Sequence, residues 1–320
     1  MVDEAFCLHE VIVPEAPSLW GPAERFPLSG SSRRPLRLPD GDETTPFGLR
    51  HLILSGPNLD VPLERVHSVY YRRPGRFDLS IHRHDDLRRF VEAEARQGFG
   101  GVLSSLDCTW VNHPARMADA EYKPCQLKVA AESGLRVPRS HLTNDPRSAK
   151  MFAEAVGGMV VDKPLSAHRF WVENGRSFVL LTSPIQLDSI CDPRIGITAH
   201  LFQEWVPKHH DVRLTVVGGR FFAVAIDVGG STAALIDWRA NHRCHRYLVT
   251  TVPDEVRAGV RSLLDRLGLV FGALDFSVTE EGEWFFLELN PGGQWGWIEA
   301  ATGLPIASAI ADALEAGSMR

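Results

Sequence analysis

Two acidic residues and an asparagine near the C-terminus are the residues of this sequence best suited to chemistry. Residues 274–290 have the pattern of two β-strands joined by a two-residue loop, Glu281-Gly282. In that register Asp275 lies opposite Glu288, and Asn290 points to the same side as Glu288 because side chains alternate along a strand. Facing carboxylates repel each other, so the arrangement requires a cation. Three oxygen ligands suit Mg²⁺, which also binds substrate phosphates.

The same register predicts which side chains of the hairpin face the core. It pairs Ser277 with Phe286 and places Phe285, Leu287 and Leu289 together on the face opposite the acids. The sequence therefore predicts a hairpin with one charged face and one apolar face.

Cationic residues that could hold an anion occur earlier in the chain. Lys163 ends an apolar strand, Arg213 shares a strand face with Asp211, and Arg239 follows Asp237-Trp238. A planar guanidinium suits carboxylate or phosphate recognition. Two of these residues, taken alone, also have an ordinary structural explanation. A strand-end lysine also discourages aggregation, and Arg239 alone is better explained as a surface ion pair.

The segment from Phe202 to Pro207 leaves a predicted strand and enters a linker. Its backbone, around Glu204 and Val206, could bond the edge of a purine, and Asp211 just beyond could bond ribose hydroxyls. For each of these residues alone, a plain strand end with exposed acids is the more common reading.

Length and composition limit the class of protein. The chain has 320 residues, 44% of them hydrophobic and 23% charged, which is typical of a globular protein of two or three domains. The net charge of -6 argues against a general nucleic-acid surface. We find no apolar run long enough to span a bilayer and no signal peptide. Five widely spaced cysteines without a Cys-x-x-Cys pair favour a reduced, cytoplasmic protein.

The predicted elements indicate an α+β (α/β) fold. A helix is expected from Asp85 to Gln97, ended by Gly98, Gly100 and Gly101 and followed by a short strand at Val102-Leu103. A second helix, 115–133, should break at Lys123-Pro124. Further helices should begin at Asp145 and Pro253, and Gly218-Gly219 should form a hairpin turn. Residues 1–45 show no sustained period and are expected to be irregular.

The order of these parts, more than any one of them, resembles the ATP-grasp fold. No P-loop, dinucleotide-binding glycine motif or nucleophile elbow is present. The details resemble the ATP-grasp maturases of ribosomally made peptides, which make microviridins and other graspetides. The motifs that carry the resemblance are Tyr71–Pro74, Trp110–Pro114, Lys123–Leu127, Lys163–Ser166, Asp211–Arg213, Asp237–Arg239 and Leu287–Glu299. The last is the most specific, and its Trp295 and Trp297, which alternate in an extended segment, are interpreted as core rather than as walls of a peptide groove.

The resemblance implies a role for each candidate residue. Lys123 and Lys163 would hold the ATP phosphates, Glu204 and Val206 adenine, and Asp211 the ribose. Two Mg²⁺ ions would be held by Asp275, Glu288 and Asn290, while Arg213 and Arg239 would receive the substrate carboxylate and the acyl-phosphate. It also implies a pre-ATP-grasp domain at 1–113, here reduced, a central domain at 114–200 and a C-terminal domain at 201–320.

The implied activity is an ADP-forming ligase that closes ester or amide macrocycles. An Asp or Glu side chain of a precursor peptide would be activated as an acyl-phosphate and joined to Ser, Thr or Lys. The partner would be a precursor peptide with a leader and a core, and neither nucleic acid nor membrane; the family also makes a homodimer an expectation. Two alternatives stay open: an ATP-grasp ligase that adds free amino acids to a protein or peptide, and a non-catalytic peptide-binding module of the same fold.

Overall fold

The computed structural model describes residues 10–12, 25–27, 53–55, 60–72, 85–166, 169–171, 177–186, 189–227, 236–238 and 246–317. Of the region expected to be irregular, residues 1–45, it describes only two short strands, Glu10–Ile12 and Arg25–Pro27, so the expectation is wrong for these residues. The rest of that region, like Arg73 and Pro74 of the first motif, lies outside the described residues.

The strands of the described chain, numbered in order, are β1 (Glu10–Ile12), β2 (Arg25–Pro27), β3 (Ile53–Ser55), β4 (Asp60–Pro62), β5 (Ser68–Arg72), β6 (Thr109–Val111), β7 (Ser140–Thr143), β8 (Val160–Lys163), β9 (Arg169–Trp171), β10 (Ser177–Val179), β11 (Ser183–Ile185), β12 (His200–Glu204), β13 (His210–Val217), β14 (Arg220–Asp227), β15 (Arg246–Thr250), β16 (Phe271–Val278) and β17 (Trp284–Asn290). The α-helices are α1 (Asp85–Ser104), α2 (Pro114–Ala120), α3 (Lys123–Glu132), α4 (Pro146–Val156), α5 (Asp254–Leu267), α6 (Gly296–Thr302) and α7 (Ile306–Gly317). None of the helices described here is long and apolar enough to cross a membrane.

The chain divides into two compact units. The first comprises Met1–Met117, Leu269–Phe271 and Ala307–Arg320, and the second comprises Ala118–Gly268 and Gly272–Ile306. The three-part division inferred from the sequence stays a prediction.

The first unit contains a four-stranded sheet with the order β2-β1-β5-β6, in which β5 and β6 run parallel. Helix α1 connects these two strands and continues to Ser104, so the predicted stop at Gly98 and the predicted strand at Val102-Leu103 are wrong. Leu103 is buried beside Trp110 in a core cluster against which Phe99 and Val102 also pack. Burial of these side chains outweighs the cost of about 1 kcal/mol for each helical glycine.

The second unit contains two larger sheets. One has the order β11-β8-β12-β7 and packs on α4, whose predicted cap at Asp145 is confirmed by the bond that its carboxylate accepts from the Arg147 N–H at 3.0 Å. The other has the order β15-β14-β13-β16-β17. Its β13–β14 turn is the predicted Gly218-Gly219, both with positive φ. Helix α5 packs closely on this sheet, because a Cβ at Gly272 would lie 2.8 Å from Leu264 of α5 and from Leu289 of β17.

The predicted break near Lys123 is also confirmed. Helix α2 ends at Ala120, and α3 begins at Lys123 with Pro124 in its first turn, where the missing N–H of proline costs no helical hydrogen bond. The break places Lys123 at the start of a helix that packs against β17.

The hairpin β16–β17 has a longer loop than predicted. The Gly282 N–H donates to the Thr279 C=O at 3.0 Å, the Thr279 N–H donates to the Glu283 C=O at 3.0 Å, and Gly282 has φ +80°. These bonds define a three-residue loop, Glu280–Gly282, whose last residue needs the left-handed conformation that glycine adopts freely. The prediction of a two-residue loop, Glu281-Gly282, is therefore wrong.

A β-bulge in β17 compensates for the longer loop. Val278 pairs with Trp284, Ser277 with Phe285 and Phe276 with Phe286, but Asp275 pairs with Glu288, so Leu287 is an extra residue on its strand. The predicted pairing of Asp275 with Glu288 is confirmed, whereas that of Ser277 with Phe286 is wrong. The core side chain before the bulge is consequently Phe286, which is fully buried, and not Phe285 or Leu287, which are half-buried.

The bulged register predicts which phenylalanine of β17 contributes more to the free energy of unfolding. We expect Phe286→Ala to lower the free energy of unfolding by about 3–5 kcal/mol, because it leaves a cavity beside the Phe276 ring 5.8 Å away. Phe285→Ala is the matched control and should cost clearly less. Chemical denaturation measures both, and equal losses would contradict the bulged register.

Candidate active site

Two ion pairs lie side by side on the face of the five-stranded sheet that carries Asp275 and Glu288. Arg213 Nη1 lies 2.9 Å from each carboxylate oxygen of Asp275. Lys123 Nζ lies 3.1 Å from Oε2 of Glu288. Asp275 and Glu288 are directly paired across the strands and only 8% and 9% exposed. Part of the positive charge that facing carboxylates require is therefore supplied by the protein's own side chains.

The donor set at this place fits a hard divalent cation. Asp275 and Glu288 offer carboxylates, and Asn290, whose amide lies 3.4 Å from Oε1 of Glu288, offers a carbonyl oxygen. No cluster of three His, Cys, Asp or Glu side chains with metal-binding geometry occurs among the described residues. An ion here would thus use the asparagine as its third protein donor and would share the two carboxylates with Arg213 and Lys123.

The two lysines singled out by the sequence meet at β17. Lys163 is buried at the end of β8 and donates to the Leu287 C=O at 3.2 Å. Lys123 donates to the C=O of Pro164, the residue after Lys163, at 2.8 Å. The structure thus brings both lysines to the bulge at Leu287 and to the neighbouring Glu288.

Asp211 lies on the same sheet face but is already engaged by the protein. Its carboxylate accepts from Lys208 Nζ at 2.6 Å and from Ser277 Oγ at 3.1 Å, and the side chains of Asp211 and Lys208 are both buried. Burial raises the pKa of Asp211, although Lys208 and Ser277 oppose the shift. Lys208 was not among the site residues predicted from the sequence. The only signal for it was its position three residues before Asp211.

The Glu204 carboxylate is already hydrogen-bonded to Arg139 within the protein. The guanidinium donates to Glu204 at 2.9 Å and also to the C=O groups of Ala155 and Val156 at the end of α4. The hydrogen bond from Arg139 lowers the pKa of Glu204. A contact of this segment with a base would therefore use its backbone, including that of Val206, whose side chain is buried.

Arg239 lies outside the described residues, but its two predecessors are described. Asp237 is buried and accepts from the Thr182 N–H at 3.1 Å. The Trp238 ring lies 5.7 Å from that of Trp297, which in turn lies 5.1 Å from Tyr247. These three rings pack on Ile226 of β14.

The segment after β17 is not extended as predicted. Trp295 precedes the first residue of α6, and Trp297 lies within that helix, so the two tryptophans do not alternate along a strand. Gly293, just before, lies where no side chain fits. A Cβ there would be 2.5 Å from Ala273 and 2.9 Å from Arg213 Nη2. This close approach lets the guanidinium reach the Gln294 C=O at 3.4 Å.

Comparisons with known proteins identify the class. No protein-family model matches the chain. It is 30% identical to the macrocyclase MdnB of Microcystis aeruginosa, a likeness that covers 82% of this chain and 81% of MdnB with a TM-score of 0.67. It is 27% identical to a RiPP-associated ATP-grasp ligase of Chryseobacterium gregarium, solved with ADP and with a leader and core peptide, covering 82% and 80% of the two chains with a TM-score of 0.76.

Curated relatives are ligases as well. A probable alpha-L-glutamate ligase of Teredinibacter turnerae is 27% identical over 210 residues, which are 64% of this chain and 66% of the relative. The chain spans just under two thirds of that relative, and 45% of a second one, from Shewanella halifaxensis.

The chain therefore belongs to the ATP-grasp ligases. Within that class its place is among the maturases of ribosomally made peptides. Both the fold and the family resemblance inferred from the sequence are confirmed.

The crowding at Gly293 yields a prediction. Gly293→Ala should lower the free energy of unfolding by about 1–3 kcal/mol, because the new methyl group overpacks against Ala273 and Arg213. Gly296→Ala is the control, since a Cβ there meets nothing within 4 Å. Equilibrium unfolding compares them, and an equal effect of the two substitutions would refute the close packing.

Proposed function

We propose that this protein uses ATP and Mg²⁺ to join side chains within a ribosomally made precursor peptide. An Asp or Glu carboxylate of the peptide is activated, and a Ser or Thr hydroxyl or a Lys amine then closes an ester or amide macrocycle. What carries the proposal is the convergence of Lys123, Lys163 and Arg213 on the paired carboxylates Asp275 and Glu288. Its support from known proteins is the likeness to ligases solved with ADP and peptide.

The nucleotide is assigned to the region where the lysines meet. Lys123 and Lys163 offer ammonium groups to the phosphates of ATP, and the backbone around Glu204 and Val206 offers hydrogen bonds to adenine. Asp275, Glu288 and Asn290 would hold Mg²⁺, which supplies charge neutralisation to the phosphates when bound. Because Lys208 and Ser277 already engage Asp211, its contact with the ribose is shared with them.

The first chemical step is transfer of a phosphoryl group. An oxygen of the substrate carboxylate bonds to the γ-phosphorus, the bond from that phosphorus to the β–γ bridging oxygen breaks, and ADP leaves. Such a transfer needs positioning and charge stabilisation more than it needs a protein nucleophile. Arg213 receives the carboxylate and then the acyl-phosphate, together with Arg239. The Nε atom of Arg213 is buried and has no hydrogen-bond partner among the described residues.

The second step closes the ring. The hydroxyl oxygen or amine nitrogen bonds to the activated carbonyl carbon, the bond from that carbon to the phosphate oxygen breaks, and inorganic phosphate leaves. The nucleophile releases one proton. The peptide thus loses the elements of one water molecule for each ring.

A second candidate is addition of free glutamate to a protein or peptide end. The names of the curated relatives favour it. Both reactions use the same acyl-phosphate and the same nucleotide residues, so Asp275 and Glu288 do not separate them.

Mass spectrometry separates the two reactions. The protein is incubated with a precursor peptide encoded beside its own gene, ATP and Mg²⁺. We expect the peptide mass to fall by one water for each ring. A mass gain by glutamyl units would instead establish the second candidate, and an unchanged peptide with no ADP formed would refute both.

The metal ligands give a sharper prediction. Glu288→Gln should reduce turnover at least about 100-fold, because the charge that balances Lys123 and holds Mg²⁺ is lost. Binding of the leader peptide, measured by fluorescence anisotropy, should be largely spared. The matched control is Glu283→Gln in the same hairpin, whose carboxylate pairs with Arg136 at the surface. A Glu288→Gln variant with wild-type turnover would contradict the assignment of Glu288 as a Mg²⁺ ligand.

A further inference from the structure

Gln126 makes an unusual set of contacts with the outer edge of β17. This strand ends the five-stranded sheet, and helix α3 packs against it. The buried Gln126 side chain accepts from the Leu289 N–H at 2.9 Å through Oε1 and donates to the Leu289 C=O at 2.7 Å through Nε2. The carboxamide therefore pairs with one residue of β17 as a neighbouring strand would.

Gln126 contacts β17 between two of the proposed metal ligands and next to the bulge. Leu289 lies between Glu288 and Asn290, and the extra residue of the bulge, Leu287, lies just before them. The straight register of the same hairpin would pair Asp275 with Leu287 and turn Glu288 toward the core. A shift by one residue exchanges the two faces of a strand, so the bulged register must be specified by contacts on both sides of Leu287.

Contacts of two kinds specify it. Before the bulge, the Phe286 N–H donates to the Arg136 C=O at 2.8 Å. After the bulge, Gln126 fixes Leu289 by both of its backbone groups. The same helix carries Lys123, which binds Glu288, so α3 holds both the backbone and the carboxylate of this part of the strand.

We propose that Gln126 is a positioning residue that keeps β17 in the bulged register and so directs Glu288 and Asn290 into the cation site. Gln126 acts through Leu289 and does not touch the ion or the nucleotide. The inference rests on the proposed function in one respect, since it takes Glu288 and Asn290 as ligands of Mg²⁺.

The test uses Gln126→Met, which keeps the length of the side chain. It removes both hydrogen bonds to Leu289, together with the one that Nε2 donates to the Ala120 C=O at 2.5 Å. ADP binding to the full-length protein is followed by calorimetry at increasing MgCl₂ concentrations, without any peptide. We expect the half-saturating Mg²⁺ concentration to rise about 10- to 100-fold, the size of effect seen when partners that orient metal ligands are lost. Hydrogen exchange of the β17 amides, followed by mass spectrometry, should become faster in the same variant.

The matched control is Lys128→Gly, a substitution at an exposed position of the same helix that lowers helix stability. Its half-saturating Mg²⁺ concentration should stay at the wild-type value. A Gln126→Met variant with wild-type Mg²⁺ dependence would overturn the proposal, even if its unfolding midpoint fell. If that variant does not fold, Gln126→Asn replaces it, and a wild-type Mg²⁺ dependence there would be equally decisive.

The outcome is separate from that of the macrocyclisation assay. A shifted Mg²⁺ dependence supports the role of Gln126 even if no peptide loses water. If the wild-type protein shows no Mg²⁺-dependent ADP binding, the assignment of the metal site is wrong, and the inference about Gln126 is wrong with it.

Discussion

The site depends on one extra residue in one strand. Leu287 restores, after a three-residue loop, the pairing of Asp275 with Glu288 that a two-residue loop would have given directly. Because strand side chains alternate with a period of two residues, a straight strand would put Phe286 and Glu288 on the same face. The bulge between them lets Phe286 face the core while Glu288 lies beside Asp275. Four residues from other elements contact the bulge and the residues next to it: Arg136, Lys123, Gln126 and Lys163. The same contacts therefore determine both the register of the sheet and the position of the charged groups.

Electrostatics explains why Arg213 and Lys123 lie against the two paired carboxylates. Two carboxylates about 4 Å apart near a protein surface repel by about 4 kcal/mol, and the cost grows as water is removed. Arg213 and Lys123 offset that repulsion without a bound ion, so the acids can be buried before any ligand arrives. Removing either cation would take away much of the compensation of a buried carboxylate, and breaking a buried ion pair typically costs about 3–5 kcal/mol. An ion bound here would therefore replace existing contacts and would not need to create the arrangement.

Local patterns predicted several helices, the β13–β14 turn and the two acids of the site, whereas Lys123 was identified through the family resemblance. The break at Lys123 and the cap at Asp145 follow from residue types at short spacing. The pairing of Asp275 with Glu288 was predicted from a two-residue loop that is wrong, and it holds because the bulge at Leu287 offsets the longer loop. The errors have a common physical cause, which is that distant packing decides them. Helix α1 continues through three glycines because Phe99 and Leu103 are drawn into a core, and the bulge at Leu287 depends on residues more than a hundred positions away. Lys208 and Gln126 were missed as site residues because their partners, Asp211 and Leu289, can be identified only in the folded chain.

The paired carboxylates are held by two sets of contacts, one around β17 and one through Arg213. The residues around β17 hold charges that any acyl-phosphate ligase needs, and they are fixed by backbone groups that side-chain substitutions leave in place. Arg213 connects this site, through the Gln294 C=O, with the loop that leads into α6. Beyond that loop the chain forms an aromatic cluster of Trp238, Tyr247 and Trp297, which has no part in holding the acids. A change in that loop would therefore affect Asp275 through Arg213, while the contacts of Lys123 and Lys163 with β17 stay as they are.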